Sequence, residues 1–355
     1  MNVSWGVFFV ILYLYRAAMS IVAVVFVSRF TTLGDSFKYQ KQERGLEDAF
    51  GRGSTSLTEV IGGIFSTMAN GNVVLINLAF MTIGYIGIFV FMIALPPRYR
   101  IMAAILVMLP SFNLWTSIAS KECVILFFAG FTGALFLQIF LGHQRTHWSY
   151  LAALPGLFLY KWVYFPAVAL MLGGVVVARF AKQPALFVLF GVAGSAVALY
   201  LFRDVLSDYS FQVPVHFLSG TGLSTREAFW VEKYDVFTKA PYGMWLAFFG
   251  PTLAEAQSGH LLHLFSFIES TVILTVLMFI FLSNLPNRPI FSFLALLLVV
   301  FWLMFPNYPL GVMNPGSAVR YRAGYYLLLV AAVMAFSSRD GFVRWRTRPL
   351  WPFHA

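Results

Sequence analysis

The stretch from Val73 to Arg100 reads VVLINLAFMTIGYIGIFVFMIALPPRYR and contains the two features that decide the fold. Residues 73–95 carry no charge. Because about 20 apolar residues suffice to cross the hydrocarbon core of a bilayer as a helix, this run predicts a membrane span. Two prolines and two arginines follow at once in the turn 96–100. Basic residues in a short loop between spans indicate the cytoplasmic side, so this stretch also predicts an orientation.

The composition of the whole chain agrees with a membrane protein. Of its 355 residues, 60% are hydrophobic and 18% aromatic, and the mean hydropathy is +0.79. A soluble domain of this length does not need so much apolar surface, whereas a helical membrane protein must be apolar toward lipid as well as in its core. The single cysteine, Cys123, excludes an intrachain disulfide.

The net charge of +10 has a topological explanation. Ten basic residues flank the predicted spans on the side with short loops, and Asp340 is the only acidic residue there. The other thirteen acidic residues fall on the opposite side, where basic residues balance them. Because the excess of positive charge is what the positive-inside rule predicts for short cytoplasmic loops, we expect no nucleic-acid partner.

The apolar runs predict an all-α, polytopic helical membrane protein with about ten spans. We treat residues 1–355 as a single transmembrane domain with both termini in the cytoplasm. Pro110, Pro155 and Pro166 interrupt apolar runs and predict short or broken helices, which are tolerated only beside protein or a water-filled cavity. The predicted spans are 5–28, 73–95, 101–118, 122–142, 149–162, 164–181, 185–202, 263–284, 289–306 and 322–338.

Two long loops fall on the outer side in this topology, 29–72 and 203–262, and the segment 339–355 forms a cytoplasmic tail. In the first loop, Ser56 and Glu59 have the spacing of a capping box, and apolar residues then recur at helical spacing. This pattern predicts a short amphipathic helix on the outer membrane surface.

Asp35 is the first candidate for chemistry, because it follows the first span directly and stands near Lys38 and Tyr39. A carboxylate just outside a membrane helix can meet the headgroup of a lipid-linked substrate, where it could accept a proton from an attacking hydroxyl as general base. The alternative is a solvated loop acid paired with Lys38 or Arg29.

The second candidate is the pair Lys121 and Glu122, which opens an apolar run shortly after the break at Pro110. Charges at the end of a bilayer helix are costly unless they are solvated, paired or functional. Lys121 could therefore meet a phosphate as a point charge, oriented by Glu122. Alternatively, Lys121 extends toward the interface and Glu122 stabilises the helix N-terminus.

Further cations lie on the predicted outer side. Arg320 and Arg322 precede the last span and could clamp a phosphate or pyrophosphate from the flexible end of a loop, while Lys161 lies at a helix break. Arg16 is inside the first span, where a charge indicates function by default, although it could instead pair structurally with Glu269. We expect no metal site, since His260 and His263 lack a clear third ligand, and no other cofactor.

These stretches together resemble the GT-C class of integral membrane glycosyltransferases, and in particular polysaccharide-polymerase-like bacterial members. The resemblance is carried by short motifs: an outer-loop acid after the first span, Pro110-Ser111 with Trp115-Thr116-Ser117 and Lys121-Glu122, Phe249-Gly250-Pro251 with Glu255 and Glu269, and Arg320-Tyr321-Arg322.

The resemblance implies sugar transfer from a polyprenyl-phosphate-linked donor to a glycan or lipid acceptor, on the outer face of the bacterial cytoplasmic membrane. It implies Asp35 as base, Lys121, Arg320 and Arg322 as phosphate ligands, and an inverting, metal-independent reaction. With Lys38, Tyr39, Glu122 and Lys161, these residues form the predicted site. An oligosaccharide repeat-unit polymerase, a transporter or flippase of a lipid-linked or anionic solute, and an assembly scaffold remain alternatives.

Overall fold

The computed structural model describes residues 3–29, 36–40, 53–141, 147–175, 184–218, 226, 229–257, 261–283 and 290–338. Of these residues, 87% are helical and none forms a strand. Six of the described helices are long and apolar enough to cross a membrane, or seven if one bent pair counts as a single span. The prediction of an all-α, polytopic helical protein is therefore confirmed, while the count of ten spans stays a prediction.

The helices follow the apolar runs because each backbone N–H and C=O must be satisfied within its own segment when the surroundings are apolar. In chain order the α-helices are α1 (Val3–Val25), α2 (Ser36–Tyr39), α3 (Ser54–Met68), α4 (Val73–Ala94), α5 (Pro97–Val107), α6 (Pro110–Trp115), α7 (Lys121–Leu141), α8 (Ala153–Lys161), α9 (Phe165–Val168), α10 (Pro184–Leu201), α11 (Arg203–Leu218), α12 (Asp235–Thr238), α13 (Ala240–Phe249), α14 (Leu253–Gln257), α15 (Leu261–Leu282), α16 (Ile290–Met304), α17 (Tyr308–Met313) and α18 (Pro315–Phe336).

Four predicted spans differ from the helices that form. The segment 101–118 is divided between α5 and α6, which begins at Pro110 because a proline ring fits the first turn of a helix but not its interior. In place of the two predicted spans 149–162 and 164–181, the structure has one helical run, Trp148–Gly174. Its geometry changes between 3₁₀, α and π helix along the run. The last helix begins at Pro315 and not at 322.

The long loops predicted on the outer side are largely helical where the structure describes them. The first contains α2 and α3, and the second contains α11 to α14. The amphipathic helix predicted after Ser56 exists as α3, but the capping box is wrong. Gly53 precedes the helix with a positive φ of 65°, and Ser56 lies buried inside the helix. The tail 339–355 lies outside the described residues.

The chain divides into two compact units. The first comprises Met1–Ala134, Trp148–Trp162 and Ala323–Leu327, and the second Leu135–His147, Val163–Arg322 and Leu328–Ala355. In the first unit, α1 packs against α4 and α6, and α3 packs against α2, α4 and α8.

Helices α4 and α7 approach most closely at two glycines of the first unit, Gly87 and Gly130. A Cβ atom added to Gly130 would lie 2.7 Å from Gly87 Cα and even closer to the Gly87 carbonyl group. Small residues at a crossing let two helix backbones come together in a membrane. This contact therefore sets how closely α7 packs against α4.

In the second unit, α10 and α16 run side by side in the same direction. The indole Nε1 of Trp302 donates a hydrogen bond of 2.7 Å to Ser195 Oγ, and a Cβ added to Gly191 would lie 3.0 Å from Leu298. Both pairs are 107 residues apart, so the two helices are parallel. Beyond their ends, α11, α12, α13 and α17 share one apolar core that includes Val213, Trp230 and Tyr308.

Candidate functional site

Between α6 and α7, residues Thr116–Ser120 form a non-helical segment that is buried throughout. Such a backbone is tolerated among membrane helices only when its polar groups find partners. Cys123 Sγ lies 3.0 Å from the Thr116 carbonyl oxygen and 2.9 Å from that of Ile118. The Ala119 N–H donates to Asn77 Oδ1 at 2.6 Å. Side chains from α4 and α7 thus contact the backbone of this non-helical segment, and α1 contacts it as well.

The contribution of α1 to this break is Arg16, whose side chain is 0% exposed. Its Nη1 donates to Asn113 Oδ1 at 2.8 Å and to Thr116 Oγ1 at 3.1 Å, and its Nη2 donates to the Thr116 carbonyl. The predicted alternative, a pair with Glu269, is wrong, because Glu269 pairs with Arg322. Among the described residues, no carboxylate lies within salt-bridge distance of Arg16.

Asn113 connects this arginine to the proline break. Its amide Nδ2 donates to the carbonyl oxygens of Val107 and Leu109, each at 2.8 Å, while its Oδ1 accepts from Arg16. The Val107 carbonyl stands at the end of α5, where a helix leaves its last carbonyls without intrahelical partners, and the Leu109 carbonyl also accepts from the Asn113 backbone N–H at 3.1 Å. The sequence motif around the proline is therefore a helix break that hydrogen bonds hold, in which the buried Arg16 Nε and Ser117 Oγ have no hydrogen-bond partner among the described residues.

Lys121 begins α7 directly after the break and extends to α3. Its Nζ donates to Thr55 Oγ1 at 2.5 Å, and the side chain is half-buried. The predicted start of this helix at 122 is one residue late, because Lys121 is its first residue. Glu122 is buried in the first turn, where an acidic side chain favours the helix N-terminus.

The other predicted residues of the first unit also surround α3. On α2, Lys38 is exposed and Tyr39 is buried, and a Cβ added to Gly62 of α3 would lie 2.8 Å from the Tyr39 carbonyl carbon. Helix α8 packs on α3 and ends at Lys161, which is half-buried. Asp35 lies outside the described residues, directly before α2 in the sequence.

Arg320 and Arg322 belong to the second unit and do not stand in a flexible loop, which corrects the predicted setting. Both lie inside α18, where residues two apart point in different directions. The guanidinium of Arg320 is half-buried and lies 6.0 Å from the ring centre of Tyr321. The two side chains therefore leave the helix in different directions, and their role as a phosphate clamp stays a prediction.

Arg322 is instead part of a buried polar cluster. Its Nη1 donates to the Phe248 carbonyl at 3.0 Å and to Ser270 Oγ at 2.7 Å, and its Nη2 lies 3.7 Å from Glu269 Oε2. Ser270 Oγ also lies 3.3 Å from the Gly250 carbonyl. These contacts attach α15 and α18 to the end of α13.

Arg226 is a functional candidate that sequence reasoning missed. Its Nε and Nη2 donate to the two carboxylate oxygens of Glu255 at 2.5 and 2.9 Å, and its Nη1 donates to the Val312 carbonyl at 2.8 Å. Glu255 also accepts from the backbone and hydroxyl groups of Thr252. The two partners are 29 residues apart with no regular helix pattern between them, so no local signal indicates this pair.

Arg226 and Thr252 also control the ionisation of Glu255. Burial by itself would raise the pKa of Glu255, but hydrogen bonds from Arg226 and Thr252 outweigh it and lower the pKa below its ordinary value of 4.5. A folded-state pKa below the unfolded value contributes stability that is present above about pH 4.5 and is lost as the pH falls through the folded value.

We therefore expect Glu255→Gln to reduce the loss of stability at low pH. The unfolding temperature of the wild-type protein in detergent should fall from about pH 5 to about pH 3, and the fall should be smaller in the variant, which has no carboxylate to protonate. Glu232→Gln is the matched control, since Glu232 is exposed. Equal pH dependence in the wild type and Glu255→Gln would contradict the assignment.

The chain matches no family model, and comparisons with curated proteins and with solved structures return no match either. Among the described residues, no group of three His, Cys, Asp or Glu side chains is placed to hold a metal ion. His260 of the predicted histidine pair lies outside the described part.

Proposed function

We propose that this protein is a membrane glycosyltransferase that moves a sugar from a polyprenyl-phosphate-linked donor to a glycan or lipid acceptor. The reaction takes place on the outer face of the bacterial cytoplasmic membrane, in a GT-C-like helical fold with about ten spans and cytoplasmic termini. The proposal is carried by one observation: α3 gathers around itself the elements that bear Lys38, Tyr39, Lys121, Glu122 and Lys161.

A cluster of cations near the end of membrane helices suits the chemistry of a lipid phosphate. Lys121 is held by Thr55, so its ammonium group is oriented before any substrate arrives. A preorganised cation that faces the departing phosphate stabilises the negative charge that grows on it in the transition state, and such electrostatic stabilisation often contributes most to catalysis. Lys38 is exposed and Lys161 half-buried, which leaves both positioned to meet a charged headgroup.

The reaction balances with the residues of this site. Asp35 accepts the proton of the acceptor hydroxyl, and the hydroxyl oxygen attacks the anomeric carbon as the bond from that carbon to the phosphate oxygen breaks. The lipid phosphate leaves with the bonding electron pair, next to Lys121. Because phosphate is a good leaving group, this step needs little acid catalysis. Attack opposite the leaving group inverts the anomeric centre.

A transporter or flippase of an anionic or lipid-linked solute is the second candidate, favoured by the broken helix at Thr116–Ser120 beside buried Arg16. Transporters place discontinuous helices and charges at their substrate sites. The two functions differ in a direct assay, because only the enzyme cleaves the bond between sugar and phosphate.

We expect Lys121→Ala to weaken the binding of polyprenyl phosphate to the purified protein about 10-fold, which corresponds to about 1.4 kcal/mol. Transfer of labelled sugar from a polyprenyl-phosphate donor should fall as well. Thr55→Val should have a smaller effect, since it removes the tether and keeps the charge. Arg98→Ala removes an exposed cation from the turn 96–100, on the predicted cytoplasmic side, and serves as the control.

Two results would contradict the proposal. An unchanged Kd for polyprenyl phosphate in Lys121→Ala would remove this lysine from the site. Movement of an intact lipid-linked sugar across a vesicle membrane, without release of the lipid phosphate, would replace the glycosyltransferase by the flippase.

A further inference from the structure

The short connection between α10 and α11 carries charged residues next to a candidate span of the second unit. The two helices are bent by 66° around Phe202. Directly after the bend, Asp204 Oδ1 accepts hydrogen bonds from Tyr234 Oη at 2.8 Å and from Lys233 Nζ at 2.9 Å. The Arg203 guanidinium lies 4.4 Å from the Tyr200 ring centre.

These charges cannot face the hydrocarbon core. The side chains of Asp204 and Lys233 are 55% and 60% exposed, and Arg203 is 43% exposed. A charge at the centre of a bilayer helix costs about 2.5–3.5 kcal/mol even on the lowest scale. Tyrosine, arginine and lysine together are instead typical of the interface between the acyl chains and water. The bend therefore marks a membrane surface.

The end of α16, the parallel neighbour of α10, independently indicates the same height for the membrane surface. Because contacts between α10 and α16 join residues 107 apart, Met304 at the end of α16 is level with residue 197, which is 304 − 107. That position is about one turn before the end of α10. If α10 and α11 formed a single broken span, α16 would end well inside the bilayer, followed by the turn 305–307.

Helix α10 is long enough to cross alone. Its 18 residues span about 27 Å at 1.5 Å per residue, close to the thickness of the hydrocarbon core. If its axis follows the membrane normal, the 66° bend leaves α11 only 24° from the membrane plane, which is 90 − 66.

The side chains of α11 fit such a position. Ser207, Ser210 and Val213 are buried, and α11 packs against α17. Val205 and Tyr209 lie one turn apart on an exposed apolar edge, while Asp208 is exposed on another. A surface helix needs these three edges: one against protein, one toward acyl chains and one toward water.

We propose that α11 is an interfacial helix that lies in the phospholipid headgroup layer at the end of α10. Arg203 and Lys233 stand at the level of the lipid phosphates, and Val205 and Tyr209 reach the acyl boundary. Helix α10 is then a complete span by itself. The proposal does not depend on sugar transfer.

The depth of α11 in a bilayer tests the proposal. Val205→Cys and Gln212→Cys change exposed residues seven positions apart, two turns along the same edge of α11, and Val192→Cys changes an exposed residue within α10. Each full-length variant is labelled with bimane and reconstituted in phosphatidylcholine vesicles that contain lipids brominated at different acyl positions. The native Cys123 is buried and stays in place.

We expect positions 205 and 212 to be quenched at similar shallow depths and position 192 to be quenched near the bilayer centre. A helix that continues the span would instead place position 212 up to about 10 Å away from position 205 along its axis, at a clearly different depth. That result would overturn the proposal, and so would the absence of quenching at both α11 positions.

Discussion

Gly130→Ala should strongly destabilise the protein, although it adds only one methyl group to a helix. The new Cβ would lie 2.7 Å from Gly87 Cα and closer still to the Gly87 carbonyl. The obstructing atoms belong to the backbone of α4, so no side-chain rotation relieves the overlap, and the helices must separate. We expect a loss of about 3 kcal/mol or more, at the upper end of the range for overpacked cores.

Gly194→Ala is the matched control, because it makes the same change on another membrane helix. A Cβ added at Gly194 meets no atom within 4 Å, and the residue is exposed. Since alanine favours a helix over glycine by about 1 kcal/mol, this variant should be unchanged or slightly more stable. Thermal unfolding of both purified variants in one detergent measures the difference. Equal unfolding temperatures would show that the backbones of α4 and α7 are not in contact at these glycines.

Glu269→Gln should have the second large effect, because it leaves the Arg322 charge without its carboxylate in a buried site. The side chains of Arg322 and Glu269 are only 4% and 9% exposed. Removing one partner of a buried ion pair typically costs about 3–5 kcal/mol, which changes the ratio of folded to unfolded protein by more than 100-fold. Asp204→Asn is the control, since the exposed pair of Asp204 and Lys233 should contribute less than about 1 kcal/mol.

A double substitution separates the charge from the shape of the site. Glu269→Leu combined with Arg322→Met removes both charges, and apolar replacements of buried ion pairs are often neutral or stabilising. The double variant should therefore recover much of the stability that Glu269→Gln loses. If Glu269→Gln and Asp204→Asn lower the unfolding temperature equally, the buried pair of Arg322 and Glu269 stabilises the protein no more than the exposed pair of Asp204 and Lys233, which contradicts the prediction.

The sequence predicted the helices far better than the partners of their charges. The spans 73–95 and 122–142 agree with α4 and α7 to within a residue at each end, because long apolar runs can satisfy their backbone only as helices. The last span was predicted to begin at 322, seven residues after the helix begins at Pro315. In the structure, Asn314 caps the helix by accepting from the Ser317 N–H, and helix formation extends through Arg320 and Arg322.

In the candidate site, too, the positions of residues could be predicted from the sequence but their partners could not. Lys121 and Glu122 were recognisable because they open an apolar run, and both lie in the first turn of α7, which begins one residue before the predicted span. The alternative pair of Arg16 and Glu269 was wrong, since nothing in a sequence distinguishes which distant polar group will face a buried arginine. Arg226 gave no signal at all, because its long predicted loop contains many charges and its partner Glu255 lies 29 residues later in α14.

The sequence by itself determined that this chain is helical and apolar enough to cross a membrane repeatedly. The physical reason is local: each apolar run of about 20 residues must close its own hydrogen bonds. Only the tertiary structure decided which cations are enclosed and by what. Arg16 meets Asn113 across 97 residues, and Arg322 meets Ser270 across 52, because helix crossings bring these positions together. The close contact of Gly87 with Gly130 between α4 and α7 is likewise a product of the tertiary structure, and no local pattern encodes it.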